Sequence, residues 1–213
     1  MAGREYQLHG GSIVCENGVY RALHPDRACA FVTWDDLCAF ADWAGLRPMT
    51  ELEFEKACRG GLLPVANEFA WGTTTIASSA YTLANNGSTN EGINTGFSVT
   101  SGNCSYSTTD GVLDGPLRVG AFAANGASTG RFTAGAGAPG IMELSGNVNE
   151  FVVDLFNFGV DYTGTHGDGT LNSFGGHTTA TCRTMTWAAV RRSGVVGSVQ
   201  PRQACALPIA AAS

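Results

Sequence analysis

Charge is scarce in this sequence. Only 18 acidic and 12 basic side chains occur among 213 residues, and the formal net charge is −6. A basic surface able to hold nucleic acid or an anionic membrane is therefore absent, and no nucleic-acid partner is expected. No run of 18 apolar residues exists, so neither a transmembrane helix nor membrane insertion is expected. The opening stretch, MAGREYQLHGG, lacks the apolar centre of a signal peptide. Seven cysteines stand at positions 15, 29, 38, 58, 104, 182 and 205, yet no two take the CxxC spacing. Zinc-ribbon and thioredoxin-like readings fall away with it. An odd number at irregular spacing predicts mostly free thiols, hence a reducing compartment.

What the chain has in abundance is glycine, 29 residues of it, with an overall hydrophobic fraction of 44%. Little charge with much Gly, Ser, Thr and Asn predicts an ordered domain with unusually large loop content. Length allows a single domain over 1–213 with a sizeable core.

The most informative stretch runs from Thr33 to Gly60 and predicts two helices. Thr33 caps the first, with Asp36 three residues on. Apolar residues then recur at Trp34, Leu37, Cys38, Ala41 and Ala44, one helical face, and Gly45 ends it. Thr50 and Glu53 form a capping box for the second; Lys56 and Arg59 suit its last turn, and Gly60-Gly61 stops it. Pro48 keeps Arg47 out of helical geometry, so the two helices are separate. Upstream, Ser12–Cys15 and Val19–Leu23 flank an Asn17-Gly18 turn and predict a hairpin. Residues 61–140 form a long polar tract, which inside a compact domain means functional or packed loops. Its anchors are Phe69–Gly72, Val112-Leu113 and Leu117–Gly120.

Three blocks, taken together, carry a resemblance. They are Val32–Asp36 with Phe40–Gly45, Arg47–Glu51 with Glu55–Gly60, and Ala138–Val152, with Phe69-Ala70-Trp71-Gly72 between them. This set, over about residues 30–155, resembles the formylglycine-generating enzyme or sulfatase-modifying factor family. The resemblance implies an α+β, C-type lectin-like fold: two helices on a small, twisted, mainly antiparallel sheet, with long loops. The family holds both enzymes and binding proteins. Its enzymes oxidise a sulfatase cysteine with a copper-bound cysteine pair near the C-terminus, and soft thiolates suit Cu(I). Here Cys182 and Cys205 stand 22 residues apart, outside any matching motif, so no catalytic residue and no copper are expected. The stretch Trp43–Gly60 resembles more closely the binding branch, which includes retroelement-diversified variable proteins of phages and bacteria. The expectation is a non-catalytic binder of a protein or glycan ligand, in a reducing compartment or a phage particle. The alternatives are a formylglycine-generating oxidase and a structural virion protein.

The resemblance also implies a structural Ca²⁺ site, with oxygens from Asn147, the Val148 carbonyl and Glu150. The alternative is a turn in which Asn and Glu bond backbone groups. The resemblance also implies core positions for Trp34, Trp43 and Trp71, which fall on family framework positions. From the residues themselves, His9, His24, His166 and His177 are expected as surface or satisfied histidines. Asp161–Asp168 is expected as a loop held by Asx and Gly turns, with cation binding the alternative. After about residue 175 the match to the family fails, which leaves Arg183, Trp187 and Arg191 as ligand-contact candidates. The Ala-Pro tail does not read as a closing strand, so a frame-shifted or truncated ending is one expectation. A piece of a larger protein is another.

Overall fold

The computed structural model describes residues 13–29, 32–63, 65–105, 116–148, 150–153 and 163–178. The chain is α+β, with few helices and short antiparallel strands. In order these are β1 (Ile13–Glu16), β2 (Val19–Ala22), α1 (Trp34–Trp43), α2 (Glu51–Arg59), β3 (Thr82–Ala84), β4 (Gly92–Thr95) and α3 (Arg131–Ala134). It divides into two compact units. The first comprises Met1–Ala30, Lys56–Asn149 and Arg192–Ser213; the second comprises Phe31–Glu55 and Glu150–Arg191. The division falls inside α2.

In the first unit β1 pairs antiparallel with β2, Glu16 opposite Val19. Asn17 and Gly18 both take positive φ, as a two-residue turn between right-twisted strands requires. β3 and β4 form a second antiparallel ribbon with a register shift between Thr82 and Leu83. The expected small sheet is thus two separate two-stranded ribbons among the described residues. The physical reason lies in composition. Around β3 and β4, Gly, Ser, Thr and Asn keep the strands to three and four residues, and side chains such as Asn85 and Ser88 bond backbone groups where a ladder would otherwise continue.

The polar tract nevertheless holds this unit's core. Tyr81, Ile93, Leu117, Ala121 and Phe122 form one buried cluster, with the Tyr81 and Phe122 rings edge to face at 5.6 Å. Phe69, Trp71 and Cys104 form another, with Phe69 and Trp71 stacked at 4.6 Å. Asn103 shapes the loop beside them. Its amide accepts from Ser98 N and donates to the carbonyls of Ser98, Ser101 and Thr133.

In the second unit both helices start on reciprocal caps. Thr33 N donates to Asp36 at 2.9 Å and Asp36 N to the Thr33 hydroxyl at 3.2 Å. Thr50 and Glu53 repeat this at 2.8 and 3.2 Å. Glu53 also takes two bonds from Arg47, at 2.8 and 2.5 Å. Arg47 first, then the Thr50 N–H, holds the Glu53 carboxyl down at about 2. Gly45 follows α1 at φ 68° and donates to Asp42 O. Thr50 and Val153 make a parallel bridge, and Trp34 meets Phe151 edge to face at 6.1 Å.

One core expectation is corrected here. Trp71 is buried and Trp34 half-buried, but Trp43 is 62% exposed and lies tilted beside exposed Phe40, ring centroids 6.1 Å apart. The face of α1 that turns inward carries Cys38, Ala41 and Asp42. Successive residues on a helix point about 100° apart, so turning Asp42 in turns Trp43 out.

Candidate functional site

Asp42 is buried for a visible reason. Its carboxylate accepts from Asp168 N at 3.2 Å, Thr178 N at 2.6 Å and the Thr178 hydroxyl at 3.3 Å. It thereby fixes both ends of the loop 168–178 in the second unit. Gly167 lies so close that an added Cβ would stand 2.3 Å from the Asp42 Cα, so only glycine fits there. Asp168 itself accepts from Thr170 N at 2.8 Å, an Asx-type turn. Farther along, Asn172 accepts from Phe174 N and Gly176 N and holds the exposed tip. His166 is exposed and His177 half-buried; in the first unit, half-buried His24 bonds Gly87 O through Nδ1 at 2.7 Å.

In the first unit a polar knot surrounds Ser145-Gly146-Asn147. Ala70 N donates to the Ser145 hydroxyl at 3.0 Å, and Asn147 N donates to Ser105 O at 2.8 Å. The Asn147 amide accepts from Leu117 N at 2.7 Å and donates to Leu117 O at 3.3 Å. A Cβ on Gly146 would stand 2.5 Å from Ser105 O. As a cation ligand, Asn147 therefore has one lone pair of Oδ1 left, and Val148 its carbonyl. Glu150 is half-buried and begins the second segment of the second unit. Among the described residues no group of three or more His, Cys, Asp or Glu side chains stands ready for a metal ion.

Beside the knot lie two carboxyls of different character. Glu91 is fully buried, accepting from Arg27 Nε at 3.0 Å, from Arg27 Nη2, from Gly87 N at 2.6 Å and from Arg118 N at 2.8 Å. Burial pushes its carboxyl up, but Arg27 and the two N–H groups outweigh it, and the group stays below the usual carboxylate range. Glu143 accepts from Gly120 N at 3.1 Å, and burial pushes it up to about 7 against that bond and the Arg118 charge. Cys104 is buried too, and burial, then the Glu143 charge, pushes its thiol far up. It is a small apolar group here and no nucleophile. Cys29, Cys38, Cys58 and Cys104 are all free thiols.

An open cleft of about 490 Å³ lies on the same unit. Its lining includes Ala123, Ser128, Thr129, Arg131, Ala138 and Met142. The segment beneath is tied together by Thr133, whose hydroxyl accepts from Thr129 N at 2.8 Å and lies 3.3 Å from the Ser128 hydroxyl. Arg131, the first residue of α3, donates to Ala136 O at 3.3 Å, to Cys58 O at 3.1 Å and to Ala70 O at 2.6 Å.

Of the residues singled out from the sequence, Arg183, Trp187 and Arg191 lie outside the described residues, as do Cys182, Cys205, His9 and Asp161. Sequence reasoning missed Asp42, Glu91 and Arg131. Only Asp42 had a local signal, since it shares a helical face with Cys38 four residues earlier.

Comparison with known proteins then decides the family. The family described as sulfatase-modifying factor enzyme 1-like domain matches residues 15–199. The chain belongs to this family. Three formylglycine-generating enzymes are similar to parts of this sulfatase-modifying factor domain. That of Streptomyces coelicolor is 46% identical over 48 residues, 22% of this chain and 15% of that protein. That of Bos taurus is 47% identical over 51 residues, 24% and 13% of the two chains. That of Thermomonospora curvata is 50% identical over 38 residues, 18% and 12%. The aligned part thus spans about one seventh of the length of these relatives. No solved structure matches the chain. No helix among the described residues is long and apolar enough to cross a membrane.

Proposed function

We propose that this domain is a non-catalytic ligand-binding module on a C-type lectin-like scaffold, within the retroelement-diversified branch of the family. The observation that carries the reading is the chemistry of the 490 Å³ cleft. Its described lining offers one cation, two hydroxyls and otherwise methyl groups, glycines and a thioether, with no thiol, carboxylate or imidazole. Such a set binds and orients; it does not abstract protons or attack. The buried state of Cys38, Cys58 and Cys104 supports the same reading.

The ligand class is a protein or glycan, with Arg183, Trp187 and Arg191 as further contacts. A structural Ca²⁺ at Asn147, Val148 and Glu150 belongs to the proposal as a stiffener of that turn, and copper does not. The oxidase reading draws its support from the names of the curated relatives.

The test is incubation of the whole protein, loaded with Cu(I), with a cysteine peptide of the sulfatase type, followed by mass spectrometry. Unchanged peptide is the expected result. Conversion of the cysteine to formylglycine would overturn the binding reading in favour of an oxidase.

A further inference from the structure

We propose that the Arg131 cleft takes the free carboxylate of a small aliphatic ligand. This assignment rests on the ligand-binding reading and names the ligand class for that site.

The argument starts from how Arg131 is held. A guanidinium has five N–H groups: one on Nε and two on each terminal nitrogen. Nε donates to Ala136 O, and both N–H groups of Nη2 are engaged by Cys58 O and Ala70 O. The two N–H groups of Nη1 find no acceptor among the described residues. Every acceptor around Arg131 is a neutral carbonyl, and no described carboxylate pairs with it. Arg118 of the same unit likewise donates its Nε to a carbonyl, that of Glu91 at 2.6 Å, whereas two other arginines there have carboxylate partners. Arg27 is paired with Glu91, and Arg59 stands 3.0 Å from Glu68. Arg131 is half-buried, and a partly desolvated cation without a counter-ion is unfavourable. An anion that reaches Nη1 relieves that imbalance.

The cleft also limits what can carry the anion. Three carbonyls hold the guanidinium on Nε and Nη2, so its paired edges are closed to a two-pronged phosphate or sulfate grip. What remains is one nitrogen with two hydrogens, which suits a single carboxylate. Gly72 lies over the guanidinium, an added Cβ there being 3.3 Å from both terminal nitrogens, so that face is closed as well. The walls near the charge are the methyl groups of Ala123, Ala134 and Ala138 with Met142. Their scale matches a methyl-sized side chain. Ser128 and Thr129 place hydroxyls on the lining, where an amide next to the carboxylate finds partners.

N-acetyl-L-alanine and its uncharged amide, N-acetyl-L-alaninamide, are the probes, titrated into the whole protein and followed by NMR chemical shifts. The acid is expected to bind saturably with a Kd at least about tenfold below that of the amide. Arg131→Lys keeps the charge but cannot span three carbonyls, and is expected to lose that preference. Since this variant also removes structural bonds, Ala138→Leu provides the second test: the residue is exposed, and the larger side chain fills the cleft. It should abolish binding with the thermal midpoint unchanged. Equal binding of acid and amide, no saturable binding of the acid, or full binding by Ala138→Leu would each overturn the assignment. None of these outcomes touches the copper assay, on which the broader reading stands or falls separately.

Discussion

Two buried carboxylates organise loops, one in each unit, and their surroundings differ. Glu91 in the first unit is met by the Arg27 guanidinium together with the backbone of Gly87 and Arg118. Asp42 in the second holds Asp168 and Thr178 through their peptide N–H groups and a hydroxyl. Glu91 thus ties together three segments far apart in the chain, whereas Asp42 closes one loop onto one helix. The contrast teaches that the same residue chemistry carries different weight. A charge answered by charge leaves an uncompensated cation when it is removed. An amide in place of the Asp42 carboxylate weakens its bonds from the Asp168 and Thr178 peptides.

The largest expected effect follows at once. Glu91→Ala strands the Arg27 guanidinium, whose side chain is only 14% exposed, and frees the N–H groups of Gly87 and Arg118. A loss of about 3–5 kcal/mol in urea unfolding is expected, as when one partner of a buried pair is removed. A loss under about 1 kcal/mol would erase the distinction between the two carboxylates, since that is the range of an exposed pair.

Asp42→Asn is the milder counterpart. One oxygen remains to accept a peptide N–H, while the new NH₂ faces a donor it cannot bond. A loss of about 1–3 kcal/mol is expected. Hydrogen exchange at the amides of Asp168 and Thr178 should accelerate while the Gly87 and Arg118 amides keep their protection. Gly167→Ala should loosen the same loop by steric contact with the Asp42 backbone. If exchange at both loop amides is unchanged in Asp42→Asn, the carboxylate is not what holds the loop.

These contacts also explain what could be read from the sequence. The helix caps and the Asn17-Gly18 turn involve residues at most three apart, so their signals are local and they form as expected. Arg27 and Glu91 are separated by 64 positions, and Ala70 and Ser145 by 75. No local pattern announces such pairs. The polar tract looked like loop because its strands are short, yet Tyr81, Ile93 and Leu117 build a core from it. Trp43 failed for another reason: α1 has apolar residues on both sides, and the distant N–H groups that Asp42 serves decide which side turns in. Arg131 was illegible because its carbonyl partners at Cys58 and Ala70 lie 73 and 61 positions away.

The smallest expected effect sharpens the comparison within the first unit, by setting Glu143 against Glu91. Glu91 is fully buried and Glu143 half-buried, and Glu143 bonds the Gly120 N–H and feels Arg118 only through its charge. Burial therefore wins and raises it to about 7, above the ordinary carboxylate value. The sign for stability follows from which state holds the proton. Between the ordinary value and about 7 the folded protein keeps a proton that the unfolded chain has released, so raising pH across that window lowers stability. Below the window both states are protonated and the cost vanishes. Glu143→Gln keeps the bond from Gly120 N and carries no charge at any pH. It should match the parent near pH 4 and exceed it at pH 8 by about 1 kcal/mol, since solvent reaching this half-buried carboxyl screens away most of the roughly 3 kcal/mol that the full shift would carry. Thermal midpoints of the two proteins across that range provide the check. A parallel pair of curves would mean that Glu143 is as well compensated as Glu91.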